Sequence, residues 1–66
     1  MTDKMKNREV LFEFRPVGTA MRVAAVDAET GIEAVVQCPL SAGEAVFQKM
    51  GLQKLEYVLK KQGIIS

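Results

Sequence analysis

The sequence predicts an α+β fold, a three-stranded antiparallel meander packed against one C-terminal helix. Two observations carry this. From Glu9 to Cys38 apolar and polar residues alternate in three runs separated by turns. From Ser41 to Lys61 the apolar spacing changes to that of a helix. Length supplies a third constraint: 66 residues make one domain, and one helix laid over one sheet face is the simplest way to bury both apolar surfaces.

The first run, Glu9–Arg15, puts Val10, Phe12 and Phe14 on one face. "RPVGT" breaks it with Pro16 and Gly18. The second, Ala20–Val26, shares Met21, Val23 and Ala25. "DAETG" follows, where Asp27 can bond nearby amides and Gly31 tolerates a left-handed backbone. The third, Ile32–Cys38, aligns Ile32, Ala34, Val36 and Cys38.

Register follows from matching apolar faces. With residues 28–31 as the second loop, Ala25 faces Ala34, Val23 faces Val36 and Met21 faces Cys38. In the first hairpin, Arg15 opposite Ala20 places Phe14 by Met21, Phe12 by Val23 and Glu13 by Arg22. A three-residue Pro-Val-Gly loop would shift this pairing by one, and the hydrophobic pattern decides against it.

Ser41 reads as the helix N-cap, with Glu44 completing a capping box and Leu40 stapling onto Ala45. Lys60, Lys61 and Gly63 read as its end. One arc of this helix, Phe47, Gly51, Leu55, Val58 and Leu59, suits the sheet. A second stripe, Val46, Met50 and Tyr57, points elsewhere. A curved sheet and the termini could cover that stripe. The favoured reading is a second subunit, because so short a chain builds little core alone. Residues 1–7 are expected to be a mobile segment, 8–63 the single β-β-β-α domain and 64–66 a tail.

Composition narrows the chemistry. With one Cys and no His, an intrachain disulfide, His-containing metal sites and the usual Ser-His-Asp and Cys-His nucleophiles are excluded. No cofactor, metal or small-molecule ligand is expected. Cys38 reads as core rather than as a redox sensor, which would need exposure and a depressed pKa. "PLSAGEAV" resembles an anion-binding helix start, but Glu44 would repel a phosphate. Tyr57 and Lys61 have the spacing of a dehydrogenase pair without the length such a fold needs, and "DAETG" lacks calcium-loop spacing.

The net charge is +1, which gives no strong field toward nucleic acid or anionic membrane. "MTDKMKNREV" has no apolar segment of the signal-peptide kind, and no apolar run reaches membrane-spanning length. A cytoplasmic protein is expected.

The outer sheet face carries an apolar row, Leu11, Ala24 and Val35, suited to a protein contact. Arg15 and Arg22 on the same face are the candidates for an alternative, nucleic-acid-binding role. The expectation is thus a non-enzymatic domain that forms a homodimer or serves an unidentified protein partner.

"VDAETGIE" together with "QKLEYVLKK" resembles a small uncharacterised bacterial family of short single-domain proteins. Its marks are a D-x-x-T-G turn and a K-L-E-Y-V-L helix, and the likeness spans Val10 to Lys61. It implies the same fold and a bacterial origin. It implies no catalytic residues.

Overall fold

A computed structural model describes Met5 and residues 7–66. Strands β1 (Val10–Val17), β2 (Ala20–Asp27) and β3 (Glu33–Pro39) lead through a 3-10 turn (Leu40–Ala42) into helix α1 (Glu44–Lys61). The sheet is antiparallel in the order β1-β2-β3. The α+β class and the meander are those the alternation predicts.

The second hairpin has the expected register: Ala25 faces Ala34, Val23 faces Val36 and Met21 faces Cys38. The first does not. Ala20 pairs with Val17 rather than Arg15, so β1 is displaced by two residues. Phe14 therefore faces Val23, Phe12 faces Ala25 and Glu13 faces Ala24, while Arg15 stands opposite Arg22. A two-residue shift keeps every side chain on its face, so alternation cannot distinguish the two registers. The turn distinguishes them. Gly18 has φ +60° and Thr19 a negative φ, the signs of a type II′ turn. Such a two-residue connection matches the twist of the strands it joins. It extends β1 through Pro16 and Val17.

The helix also starts later than its sequence signals imply. Ser41 does not cap it; it lies exposed in the 3-10 turn, which the Leu40 N–H anchors to the Thr19 carbonyl at 3.1 Å. Gly43, at φ +94° and ψ 161°, is the N-cap and offers no side chain. Leu40 stays 41% exposed rather than acting as the staple, and Ala42 instead packs against the cluster that contains Phe47. The far end follows expectation. Gly63, at φ +76°, permits bonds from its own N–H to the Lys60 carbonyl and from Ile64 N–H to the Leu59 carbonyl. These are the two bonds of a Schellman cap.

α1 buries Phe47, Gly51, Leu55 and Leu59, the arc predicted to meet the sheet. A Cβ at Gly51 would lie 3.0 Å from Val23 Cγ1 and 3.3 Å from Phe12 Cε1. The absent side chain lets the helix sit close to the sheet. Met5 joins Ala25, Ala34, Leu55 and Leu59 in one core cluster, while Val23, Cys38 and Phe47 form another. Phe12 packs against both. The expected mobile segment falls largely outside the described residues; Met5, within it, is 1% exposed.

Candidate interaction surfaces

α1 lies over β2 and β3 and touches β1 little. The inner residues of β1 are consequently half-buried rather than buried: Val10, Phe12 and Phe14. A groove of about 520 Å³ remains between β1 and the helix. Val10 and Phe12 line one wall, Leu52, Gln48 and Ala45 the other.

The edge of β1 beside this groove is unpaired by any described residue. The direction of its backbone groups follows from one bond. The Glu9 carbonyl accepts from the Ala28 N–H at 3.0 Å, so Glu9 faces β2. Along a regular antiparallel strand such groups alternate sides. Leu11, Glu13, Arg15 and Val17 therefore point their amides and carbonyls into the sheet, while Val10, Phe12, Phe14 and Pro16 point outward. This is why Pro16 fits within β1: its missing N–H belongs to the free edge, where no ladder bond is lost.

The outer sheet face is only partly the surface the sequence implies. Leu11 and Val35 are exposed. Ala24 between them is 1% exposed, flanked by Glu13 and Val35 on the neighbouring strands, and so offers little contact area. Arg15 is exposed and Arg22 half-buried. The corrected register sets Arg15 directly opposite Arg22, with Gln37 next in the row, and moves Glu13 from opposite Arg22 to opposite Ala24.

On the helix, Val46 and Met50 are each 40% exposed and Tyr57 56%. The stripe lies on the flank away from the groove. The ammonium groups of Lys54 and Lys61 each stand 5.7 Å from the Tyr57 ring centre. Cations over an aromatic face are attracted to it, so this chain already furnishes the ring with neighbours. Two such stripes brought together would oppose lysines.

A polar assembly that sequence reasoning missed lies at the opposite end of β2. Asp27 is fully buried. Its Oδ2 accepts from Arg8 Nη1 at 2.9 Å, from the Thr30 hydroxyl at 2.7 Å and from the Thr30 N–H at 3.3 Å. Arg8 Nη1 also reaches Glu29 Oε2 at 2.9 Å, and the Thr30 hydroxyl accepts from the Ile32 N–H at 3.2 Å. Burial by itself would raise the Asp27 pKa. The hydrogen bonds from Thr30 and Arg8, with the charge of Arg8, outweigh burial and hold the carboxyl below its ordinary value of 3.8. Its Oδ1 is buried with no hydrogen-bond partner among the described residues. The D-x-x-T-G spacing was the available signal for the turn; nothing local marks Arg8, which lies 19 residues from Asp27. The assembly ties the start of β1 to the second turn.

Cys38 is a buried cysteine outside any disulfide. No group of three potential metal ligands occurs among the described residues, and no described helix is long and apolar enough to cross a membrane.

A family model described as a domain of unknown function, DUF6898, matches residues 7–62. The chain belongs to that family. The DUF6898 span includes Arg8, Asp27 and Thr30 as well as the whole of β1 and α1. No curated protein and no solved structure matches the chain.

Proposed function

We propose that this DUF6898 domain is a non-catalytic protein-interaction module that takes its partner along β1. One observation carries the reading: the outward backbone groups of Val10, Phe12 and Phe14 run beside an apolar strand face that α1 leaves half-covered. An added strand would satisfy the first and shield the second. The helix stripe of Val46, Met50 and Tyr57 is the weaker candidate because of its two lysines. The proposed setting is a bacterial cytoplasm: a lone buried cysteine fits a reducing compartment, and the family resemblance supports the origin.

At 66 residues the chain is open to total synthesis, so Phe14 can be N-methylated without changing any side chain. That modification removes one outward donor and leaves the bonds to β2 intact. Wild-type bait is expected to retain a stoichiometric partner, either a second copy or another protein, from the cells that make it. The N-methylated bait is expected to lose it. Equal retention by the two baits, or none by either, would overturn the reading.

A second reading, nucleic-acid binding, has a specific observation in its favour: Arg15 and Arg22 are neighbours with no ion-pair partner among the described residues. Binding to duplex and single-stranded oligonucleotides across a salt series tests it, since phosphate contacts weaken steeply with salt.

A further inference from the structure

We infer that the partner of β1 is a second copy of the same strand, paired antiparallel about a twofold axis at Phe14; this rests on the β1 reading above. The two free strands of a pair of molecules would join into one six-stranded sheet, β3-β2-β1-β1-β2-β3. Such an interface is isologous, so residue i meets residue j and j meets i.

The sequence of β1 is self-complementary about Phe14. Pairing Phe14 with its own copy sets Glu13 opposite Arg15, Phe12 opposite Pro16 and Leu11 opposite Val17. Every pair is matched in character. Leu11 and Val17, 53% and 49% exposed in the single chain, cover one another on the outer face. Phe12, Phe14 and Pro16 meet on the inner face. Arg15, which faces only Arg22 within its own sheet, gains an acid. Glu13, which faces Ala24, gains a base. Like charges directly opposite across strands are unfavourable and opposite charges favourable, so the pairing sets an acid across one side of Arg15 against Arg22 across the other.

The backbone agrees. Phe14 points outward, so its amide and carbonyl exchange both bonds with their counterparts, and each Phe12 N–H finds a Pro16 carbonyl, while each Phe12 carbonyl, opposite a residue without an N–H, goes without a ladder bond. The neighbouring register, centred on Phe12, pairs Leu11 with Glu13 and places an acid against an apolar side chain. Centring on Glu13 opposes two carboxylates. Only the Phe14 axis matches charge with charge and apolar with apolar.

The test is a charge exchange. Glu13→Lys makes both outer charges of β1 basic, and Arg15→Glu makes both acidic. By sedimentation, wild type should dimerise at high micromolar concentration, and each single variant should dimerise about tenfold more weakly or less. An equimolar mixture of the two variants should form a heterodimer of near wild-type affinity, because every opposed pair is then opposite in charge. Circular dichroism checks that both variants stay folded; these exposed positions lie outside the core. If both fail to fold, N-methylation at Phe14 is the substitute, and it should make the protein monomeric. A wild type that stays monomeric, or a mixture that associates no better than its components, overturns the proposal. The two failures are distinguishable: a monomer that still captures a different protein through β1 refutes self-pairing alone, whereas loss of all capture refutes the interaction reading as well.

Discussion

The two hairpins of this sheet share a central strand and differ in what holds them. The β2–β3 turn is closed by a buried side chain: Asp27 Oδ2 receives Thr30 and Arg8, and the Asp27 carbonyl accepts the Gly31 N–H at 2.7 Å. The β1–β2 turn has no such network among the described residues. It is closed by the backbone of Gly18 and Thr19, whose surroundings leave open space beside Gly18. One hairpin is fastened by side-chain chemistry, the other by conformational permission. The strand that belongs only to the second kind is also the one whose inner face α1 leaves half-covered.

The largest expected effect breaks the fastened hairpin. Asp27→Ala removes the acceptor from three donors and strips Arg8 of its buried partner. Losing one member of a buried ion pair typically destabilises by about 3 kcal/mol or more. A 66-residue domain has a total stability of roughly 3–10 kcal/mol. Asp27→Ala should therefore leave the domain marginal or unfolded in denaturant melts. A loss below about 1 kcal/mol would mean that the second turn is held by its backbone, as the first is.

Acidification should act on the same group. The folded Asp27 binds its proton at lower pH than the unfolded chain does. Its contribution is thus complete above the unfolded pKa and fades as pH falls through the folded one. Stability should decline below about pH 4. In Asp27→Asn, provided it folds, that decline should be visibly shallower at the acid end. Parallel acid profiles for the two proteins would show that Asp27 is not the titrating group that matters.

Thr30→Val is smaller in effect and cleaner. It deletes a hydroxyl that donates to Asp27 and accepts from Ile32 N–H, and it keeps the shape. A hydrogen bond to a charged group contributes about 1.5–3 kcal/mol. Because Thr30 is exposed and water can replace the hydroxyl, about 1.5 kcal/mol is expected in urea melts. No change would remove Thr30 from the fastening and leave Arg8 as its substance.

The comparison also explains what could be read from sequence. Alternation places residues on faces, and both hairpins kept their faces. It does not count residues along a face, so β1 could slide by two without penalty in the pattern. The second hairpin was legible because Asp27 and Gly31 bracket its turn. The first was misread because Pro16 looked like a terminator, although its missing N–H lies on the free edge. Ser41 and Glu44 made a plausible capping box, yet the Leu40–Thr19 bond drew that segment into a 3-10 turn and left the cap to Gly43. Of the candidate surfaces, the exposed apolar positions were legible from pattern, except Ala24, which its taller neighbours cover. The half-covered inner face of β1 was not legible, since it depends on which strands α1 lies over.

The smallest effects give the finest test. Gly18 and Gly31 have φ of +60° and +77°, and neither would place a Cβ within 4 Å of another group. Alanine at either position therefore suffers only the left-handed backbone penalty, about 1 kcal/mol. If the hairpins differ in side-chain chemistry alone, Gly18→Ala and Gly31→Ala should shift the denaturant midpoint almost equally. Suppose instead that Gly31→Ala were much the worse. The substitution would then be displacing Thr30 and Ile32 from their bonds, and backbone and side chains at the second turn would act as one unit. Suppose that Gly18→Ala were the worse. The first turn would then control more than its own closure, because a change there moves Val17 and Arg15 along the free edge. A concentration-dependent melt separates that case: an effect transmitted through β1 pairing shrinks when the protein is dilute enough to be monomeric, whereas a local backbone penalty does not.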